Sequence, residues 1–408
     1  MRRVAITGIG VISPLGNTPE DLLSSLANSR SGIRRLEGEE YRRLANPIAA
    51  PAIFDASSVA DAPKLRMMDR ATQFALTAAR RAMDQAGLSQ GITDPSRTGV
   101  FLGTGMGGAS STDDSYRTLY GEQSDRLKPF SVLLAMNNAA ASWIGMEYGI
   151  TGPNLTFTSA CASSAVAIGE AALRIRSGQT DLMLAGGTEA PLSLGPMKAW
   201  EAMRTIATED PEDPAASCKP FSRNRNGLVL AEGAAIVVLE ERQAAMARGA
   251  DILGEISGYG LSTDMAHLTH PSVDGQARAM RLALASARMD PTSIDYINAH
   301  GTGTLANDPV ETAAIKQVFG GHTSRLQVSS TKSMHGHLLG AAGALEFAIS
   351  VLSMKAGMVP PTAHLQHPDP ECDLDYVANH ARWNSKIEAV MSNSFAFGGT
   401  SAVLIAVH

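Results

Sequence analysis

A chain of 408 residues with 38 glycines and 5% aromatic residues has volume for two domains or one large duplicated α/β unit, packed through small residues rather than large rings. The formal net charge of −6 argues against a nucleic-acid surface, which needs clustered Lys and Arg in excess, so any acidic partner must meet a local basic patch. Three cysteines, Cys161, Cys218 and Cys372, have no C-x-x-C spacing; they indicate neither a disulfide framework nor a zinc site, and fit a reducing compartment.

Two basic residues precede an apolar run at the start, but the run is short and broken by Gly8 and Gly10, so it is read as a strand rather than a signal peptide. The apolar stretch from Leu228 to Leu239 is interrupted by Glu232, and no membrane span is expected; the chain reads as soluble and cytoplasmic. Val4 to Thr7 predict a buried strand running into a glycine turn, and Pro19 to Ala27 a helix. Asp69 is placed to cap a helix whose face carries Phe74, Ala75, Ala78 and Ala82, with Gly87 stopping it before a strand at Gly99. The same order recurs later. Ile252 to Gly260 run from strand to Gly-x-Gly, a helix with Ala277, Met280 and Leu284 on one face ends before Pro291, and a strand from Ile294 leads into Gly301-Thr-Gly303, echoing Gly103-Thr-Gly105. The recurrence divides the chain into two related α/β halves, residues 1–250 and 251–408.

The stretch Thr156 to Glu170 reads as strand, turn and helix, with Cys161 where the helix begins. There the helix dipole and unpaired N–H groups favour a thiolate and could hold an oxyanion, although a lone cysteine is more often a small buried hydrophobe. Gly103 to Gly108 satisfies G-x-G-x-x-G, but residues 109–115 lack the apolar periodicity of a phosphate-binding helix; a glycine-lined wall is the better reading. Ser329-Ser-Thr-Lys332 matches S-x-x-K without the accompanying motifs, so that serine is incidental, while Lys332 closes a strand where a lone lysine is usually solvated. His300 stands at a strand end before Gly-Thr-Gly-Thr, and His337 is placed at the start of an apolar helix, Leu338 to Leu352. His335 and His337 could bracket a metal as H-x-H, but no further ligand has matching spacing. Ser394 to Gly399 is a small-residue loop with two aromatics, readable as a turn with core rings or as a mobile gate.

Together these blocks resemble the β-ketoacyl-acyl-carrier-protein synthases, closest to the synthase II type, over essentially the whole chain. The blocks are Val4 to Gly10, Thr158 to Ser163, Ala185 to Gly187, Asn298 to Thr304, Ser329 to Met334, Gly336 to Gly343 and Asn393 to Gly399. The resemblance implies a thiolase-like fold of two duplicated halves in five αβαβα layers and a homodimer, with a heterodimer with a related subunit as a second form. It implies Cys161, His300 and His337 as the catalytic set, supported by Lys332 paired with Glu346, and an oxyanion hole from the backbone N–H groups of Cys161 and Phe397. It further implies Thr302 and Thr304 on the phosphopantetheine arm, Met106 at the acyl-pocket floor, Phe395, Gly398 and Gly399 in the gating loop, and no organic cofactor. A structural monovalent cation near Asn298, Glu346, Ser392 and Asn393 belongs to the same resemblance. Ala396, His335, Asn226 and Ala231 depart from the synthase II pattern, which opens a secondary-metabolite pathway. An acidic acyl-carrier protein is the implied partner, with Lys64, Arg66, Arg70, Arg126, Lys128 and Arg204 as its candidate basic patch, although such charges are most often a solvated face. The activity implied is decarboxylative condensation with malonyl-carrier protein. The alternative is a non-catalytic chain-length partner, against which Cys161 argues; a coenzyme A thiolase would need a cysteine where Cys372 does not fit.

Overall fold

The first strand, Val4–Ile12 (β1), is buried along its whole length, as a strand covered on both faces must be. It runs straight through Gly8 and Gly10 instead of turning there. Both glycines face the helix Arg70–Gln85 (α1), where a Cβ on Gly10 would lie 2.7 Å from the Ala82 nitrogen. The bare backbone lets helix and strand approach closely. Gly258 and Gly260 do the same in the strand Gly254–Thr263 (β6), under the helix Val273–Ala287 (α4). The Gly-x-Gly pattern thus marks a seat for a helix rather than the turn expected from the sequence.

The computed structural model describes residues 2–384 and 386–408. After α1 come strand Thr98–Gly103 (β2), helix Ala139–Tyr148 (α2), strand Asn154–Phe157 (β3), helix Ser163–Arg176 (α3), strand Leu182–Glu189 (β4) and strand Gly233–Glu241 (β5). After α4 come strand Tyr296–Asn298 (β7), helix Asn307–Phe319 (α5), strand Gln327–Ser329 (β8), helix Ala342–Ala356 (α6), strand Ala389–Phe395 (β9) and strand Thr400–Val407 (β10). Asp69 caps α1 through the Ala71 N–H, and Ser272 caps α4 through the Gly275 N–H, as side-chain oxygens at helix starts do.

The strand order is β8-β7-β9-β10-β6-β1-β5-β4-β2-β3. Read outward from the centre, the two halves are the same. In each, the first strand pairs antiparallel with the last, the last antiparallel with the fourth, and the remaining pairings are parallel. The halves join where Val4, Ala5 and Ile6 pair with Ile256, Glu255 and Gly254. Helices α1 and α2 cover one outer face through Phe74, Ala78 and Ile144, and α4 and α5 cover the other through Met280, Ala283 and Ile315. Between the two halves of this sheet lie α3 and α6, their Ala165, Ile168, Ala344 and Phe347 in the central core. This is the five-layer duplicated arrangement of the thiolase-like fold. Residues Leu339–Ala356 have the length and hydropathy of a membrane span, a candidate the sequence reading passed over, but 89% of that stretch is buried between the sheets.

The duplication sets the site. Cys161 precedes α3 and His337 precedes α6, the two central helices, while His300 follows β7, which corresponds to β2 in the other half.

Candidate active site

Strand β3 ends at Phe157 and α3 begins at Ser163, leaving a tight turn that carries Cys161. The turn is strained: Ala160 has φ +47°, a left-handed conformation costing an L-residue of order 1–2 kcal/mol. Ser163 holds it, accepting from the Ser159 N–H at 2.8 Å and donating to the Ala160 carbonyl at 2.6 Å. The wall behind needs Gly103, because a Cβ there would collide with the Ser163 and Ser164 backbone. The glycine-lined wall is what this part of G-x-G-x-x-G provides; an eight-residue helix, Ala109–Tyr116, with no buried residue comes after it.

His300 is fixed by its backbone. Its N–H and that of Gly301 donate to the two oxygens of buried Glu311, at 2.8 and 2.7 Å, and its carbonyl accepts from Lys332 Nζ at 2.6 Å. His337 does not open the following helix as expected. A short turn, Leu339–Ala341, separates it from α6, and its backbone pairs instead with Val229 and Ala231. The sulfur of Cys161 and one nitrogen each from His300 and His337 all lie within 4.8 Å of one another, and the two imidazole planes stand at 82°.

The protons of these imidazoles follow from their second nitrogens. His337 Nδ1 accepts the Leu339 N–H at 3.1 Å, and His300 Nδ1 faces Lys332 Nζ at 3.4 Å, so each ring carries its proton on Nε2. His337 Nε2 is buried without a partner among the described residues. Burial, reinforced by Lys332, holds both histidines well below the ordinary imidazole range, so they are neutral N–H donors. Metal-ligating histidines show the reverse arrangement, with the second nitrogen donating to a carbonyl or carboxylate. The trio has metal-like spacing but the wrong polarity. His335 stands apart, bonded to the Gly336 carbonyl at 2.7 Å and Thr331 Oγ1 at 2.9 Å, so no H-x-H bracket forms.

One expectation needs correcting. Cys161 sits beside the helix start, but burial pushes its thiol up to about 12 against the opposing pull of Lys332, so at rest it is a thiol rather than a thiolate. Lys332, which a lone strand end would leave solvated, is wholly buried in a short helical turn and makes the ion pair with Glu346 inside α6 that the resemblance implies. An ammonium in that position keeps its charge only with such a partner.

A cavity of about 260 Å³ opens above Cys161, with Thr302, Thr304, Asn307 and Ser272 on its polar side and Trp200, Leu228, Phe395 and Phe397 on its apolar side. Thr302 and Thr304 share a hydrogen bond at 2.9 Å, and Arg225 holds the Thr304 carbonyl at 3.0 Å. Gly399 lines the cavity, where a Cβ would press on the Asp264 carboxylate at 2.9 Å; Gly398 does not line it and donates to the Leu268 carbonyl at 2.8 Å. Met106 is also outside the cavity. It packs in an apolar cluster with Leu192, Leu228, Leu339 and Trp200 behind it.

Sequence reasoning missed Glu189, Glu311 and Trp200. Glu189 is buried at the end of β4 and gathers the N–H groups of Gly105, Met106 and Gly340, tying the wall below Met106 to the turn after His337. A carboxylate closing an otherwise apolar strand was its one signal. The basic patch is only partly available. Arg70 is bound to Glu232, Lys64 to Glu147 and Lys128 to Asp114, whereas Arg66, Arg126 and Arg204 are exposed and make no ion pair among the described residues.

The cation implied by resemblance passes a test of fit. Asn298 Oδ1, Glu346 Oε2, Ser392 Oγ and Asn393 Oδ1 are all buried oxygens without a hydrogen-bond partner among the described residues. Four orphaned oxygens of these same four residues suit a hard cation.

Comparison with known proteins agrees with this geometry. The family described as beta-ketoacyl synthase, N-terminal domain, matches residues 1–245, and beta-ketoacyl synthase, C-terminal domain, matches residues 253–366. Nodulation protein E of Rhizobium meliloti (strain 1021) is 45% identical over 403 residues, covering 99% of this chain and 98% of that protein. The 3-oxoacyl-(acyl-carrier-protein) synthase 2 of Coxiella burnetii is 43% identical over 410 residues, covering 99% and 98%. Among solved structures, a type II polyketide acyl-carrier protein in complex with its hexaketide-bound ketosynthase superposes with TM-score 0.92 at 32% identity, covering 100% of this chain and 99% of that one. The ishigamide ketosynthase/chain length factor superposes with TM-score 0.92 at 35% identity, with the same coverage. This chain belongs to the β-ketoacyl synthase family and is a condensing acyltransferase.

Proposed function

We propose that Cys161, His300 and His337 divide the condensation between them: Cys161 carries the acyl chain, and the two imidazoles act on malonyl-carrier protein. In the loading step the Cys161 sulfur bonds to the acyl carbon, the carrier's thiol leaves, and the proton of Cys161 passes to it. In the second step malonyl thioester loses carbon dioxide, and the enolate formed attacks the Cys161 thioester. The β-ketoacyl chain, two carbons longer, departs on the carrier, and the released thiolate takes up one proton.

The observation that carries this reading is one nitrogen from each imidazole converging with the Cys161 sulfur on the wall of one cavity, in rings whose Nδ1 contacts leave the proton on Nε2. Such donors stabilise an enolate oxygen that is charged only transiently, and they do so without being reorganised at the moment of reaction. Lys332 and Glu346 would keep His300 in the required tautomer, and the N–H groups of Cys161 and Phe397 would bind the oxyanion of the acyl transfer. Thr302 and Thr304 would hold the phosphopantetheine arm. Asn298, Glu346, Ser392 and Asn393 would hold a monovalent cation, which supplies fixed positive charge beside Glu346. No organic cofactor is invoked. Of the candidate patch, Arg66, Arg126 and Arg204 make no ion pair among the described residues and would meet an acidic carrier protein, and a second copy or a related chain-length subunit would complete the assembly. The free state of the three thiols suits a cytoplasmic setting. A non-catalytic chain-length subunit, the alternative reading, would have no use for a thiol aligned with two imidazole donors.

Mass spectrometry after incubation with a panel of acyl-carrier proteins tests the division of labour. Cys161→Ala should abolish the adduct, whereas His300→Ala should keep loading and stop condensation. Equal loss of loading in both variants would refute the division.

A further inference from the structure

Leu339, in the turn between His337 and α6, is buried and has φ +47°, a left-handed conformation rare for a bulky residue. It is also the residue whose N–H donates to His337 Nδ1 at 3.1 Å, so the strain falls on the bond that leaves the His337 proton on Nε2. Strain of this kind persists only where the surrounding structure holds it. The next residue supplies the hold. The Gly340 N–H donates to Glu189 Oε2 at 2.9 Å, and Gly340 is pressed so closely on the wall that a Cβ there would lie 2.1 Å from the Gly105 nitrogen.

Glu189 joins the two turns from the N-terminal half. Its Oε2 also accepts the Gly105 N–H at 2.6 Å, while Oε1 accepts the Met106 N–H at 3.0 Å and the Thr104 hydroxyl at 3.1 Å. The side chain is wholly buried and all four donors are neutral. A buried carboxylate is costly to keep, and strand β4 needs none at its end for packing. Glu189 does not line the cavity above Cys161, so it reaches the chemistry through backbone rather than substrate.

We infer that Glu189 is a positioning residue for His337: by holding Gly340 against Gly105 it fixes the strained Leu339 turn, and through the Leu339 N–H it fixes the tautomer and direction of the imidazole. The two rings are then set by different means, His300 by Lys332 and His337 by a carboxylate from the other half of the chain. This inference rests on the reading of His337 as a donor to the malonyl-derived enolate.

The test is run at about pH 8, above the value of about 7 to which burial raises Glu189. Glu189→Met removes every acceptor. Long-range proton–nitrogen NMR of the histidine-labelled variant should show His337 as a mixture of both tautomers and His300 unchanged. Decarboxylation of malonyl-carrier protein should fall roughly 10²-fold in kcat, with loading of Cys161 nearly unchanged. Glu189→Gln, whose amide oxygen can still take the Gly105 and Gly340 N–H groups, should restore most of both. So should Glu189→Met/Leu339→Gly, because glycine takes a positive φ without the clamp. If Glu189→Met does not fold, Glu189→Asp carries the test: its acceptors remain, but one methylene short of both turns, and the His337 signature should be the same. A merely structural Glu189 would lower loading and decarboxylation together and disturb both histidines, which overturns the inference, as do His337 signals that match the parent's. A mixed His337 tautomer with decarboxylation at the parent rate refutes the donor role of His337 and this inference with it.

Discussion

Replacing Lys332 by Met should destabilise the protein and disable it by two separable routes. The ammonium and Glu346 are both fully buried, and Lys332 Nζ also donates to the His300 carbonyl at 2.6 Å and faces His300 Nδ1 at 3.4 Å. Removing one partner of a buried pair leaves the other charge uncompensated, at a cost of roughly 3–5 kcal/mol. The double variant Lys332→Met/Glu346→Leu removes both charges, and apolar replacement of a buried pair is often neutral or better, so most of the lost stability should return. Activity should not return. Without the ammonium beside Nδ1, the His300 proton is no longer confined to Nε2, and loss of one preorganised donor to a developing oxyanion lowers turnover by about 10²–10³. Urea-unfolding midpoints together with malonyl decarboxylation rates read the two effects. The reasoning fails if the single variant unfolds at the parent's midpoint, or if the double variant regains decarboxylation along with stability.

Long-range proton–nitrogen NMR of histidine-labelled protein should find His300 and His337 neutral and protonated at Nε2 at about pH 6.5, where an ordinary imidazole is half charged, because burial keeps both well below that value. The rings' linked contribution has a definite sign: below about pH 6.5 the unfolded chain takes up protons that the folded rings refuse, so their share of the unfolding free energy should fall as the pH drops; buried Glu189 and Glu346, raised to about 7, titrate in the opposite sense, so the share is read as the difference between the parent and a His300→Asn/His337→Asn variant, and a difference that stays flat with pH would contradict the burial of these rings. Exchanging potassium or sodium for a bulky organic cation at constant ionic strength should lower the urea midpoint, and Glu346→Gln should abolish that difference; equal midpoints in all three salts would remove the cation from the account.

How far the sequence foretold this site depended on whether each residue's surroundings are local. The turn carrying Cys161 was legible, since β-prone residues, a cysteine and a helical apolar pattern succeed one another within fifteen positions. The duplicated topology was legible too, because Gly-x-Gly strands, covering helices and Gly-Thr-Gly turns recur in order. What escaped lay in distant contacts. The residues around Lys332 alone would leave it at a solvated strand end, because its partner, Glu346, sits in an apolar helix where a carboxylate has no local reason to be, and only the family resemblance paired the two. The acidity of Cys161 was misjudged for a related cause: a helix start favours the thiolate, but the desolvation that outweighs it comes from burial in the folded chain, which no local pattern encodes. Met106, which the resemblance puts at the floor of an acyl pocket, does not line the cavity above Cys161 and packs against the apolar cluster of Leu192, Leu228 and Leu339, a placement that only three-dimensional packing reveals. Glu189 and Glu311 gather backbone N–H groups from glycine turns 83 or more and 10 or more residues away, a pairing that no periodicity encodes.

The most direct measurement tracks the carbon. Supplied with an acyl-carrier protein and malonyl-carrier protein labelled in its free carboxyl, the wild-type protein should release one labelled carbon dioxide for each β-ketoacyl product and lengthen the chain by two unlabelled carbons. Label retained in the product, or an acyl chain returned at its original length, would contradict the condensation assigned to Cys161, His300 and His337.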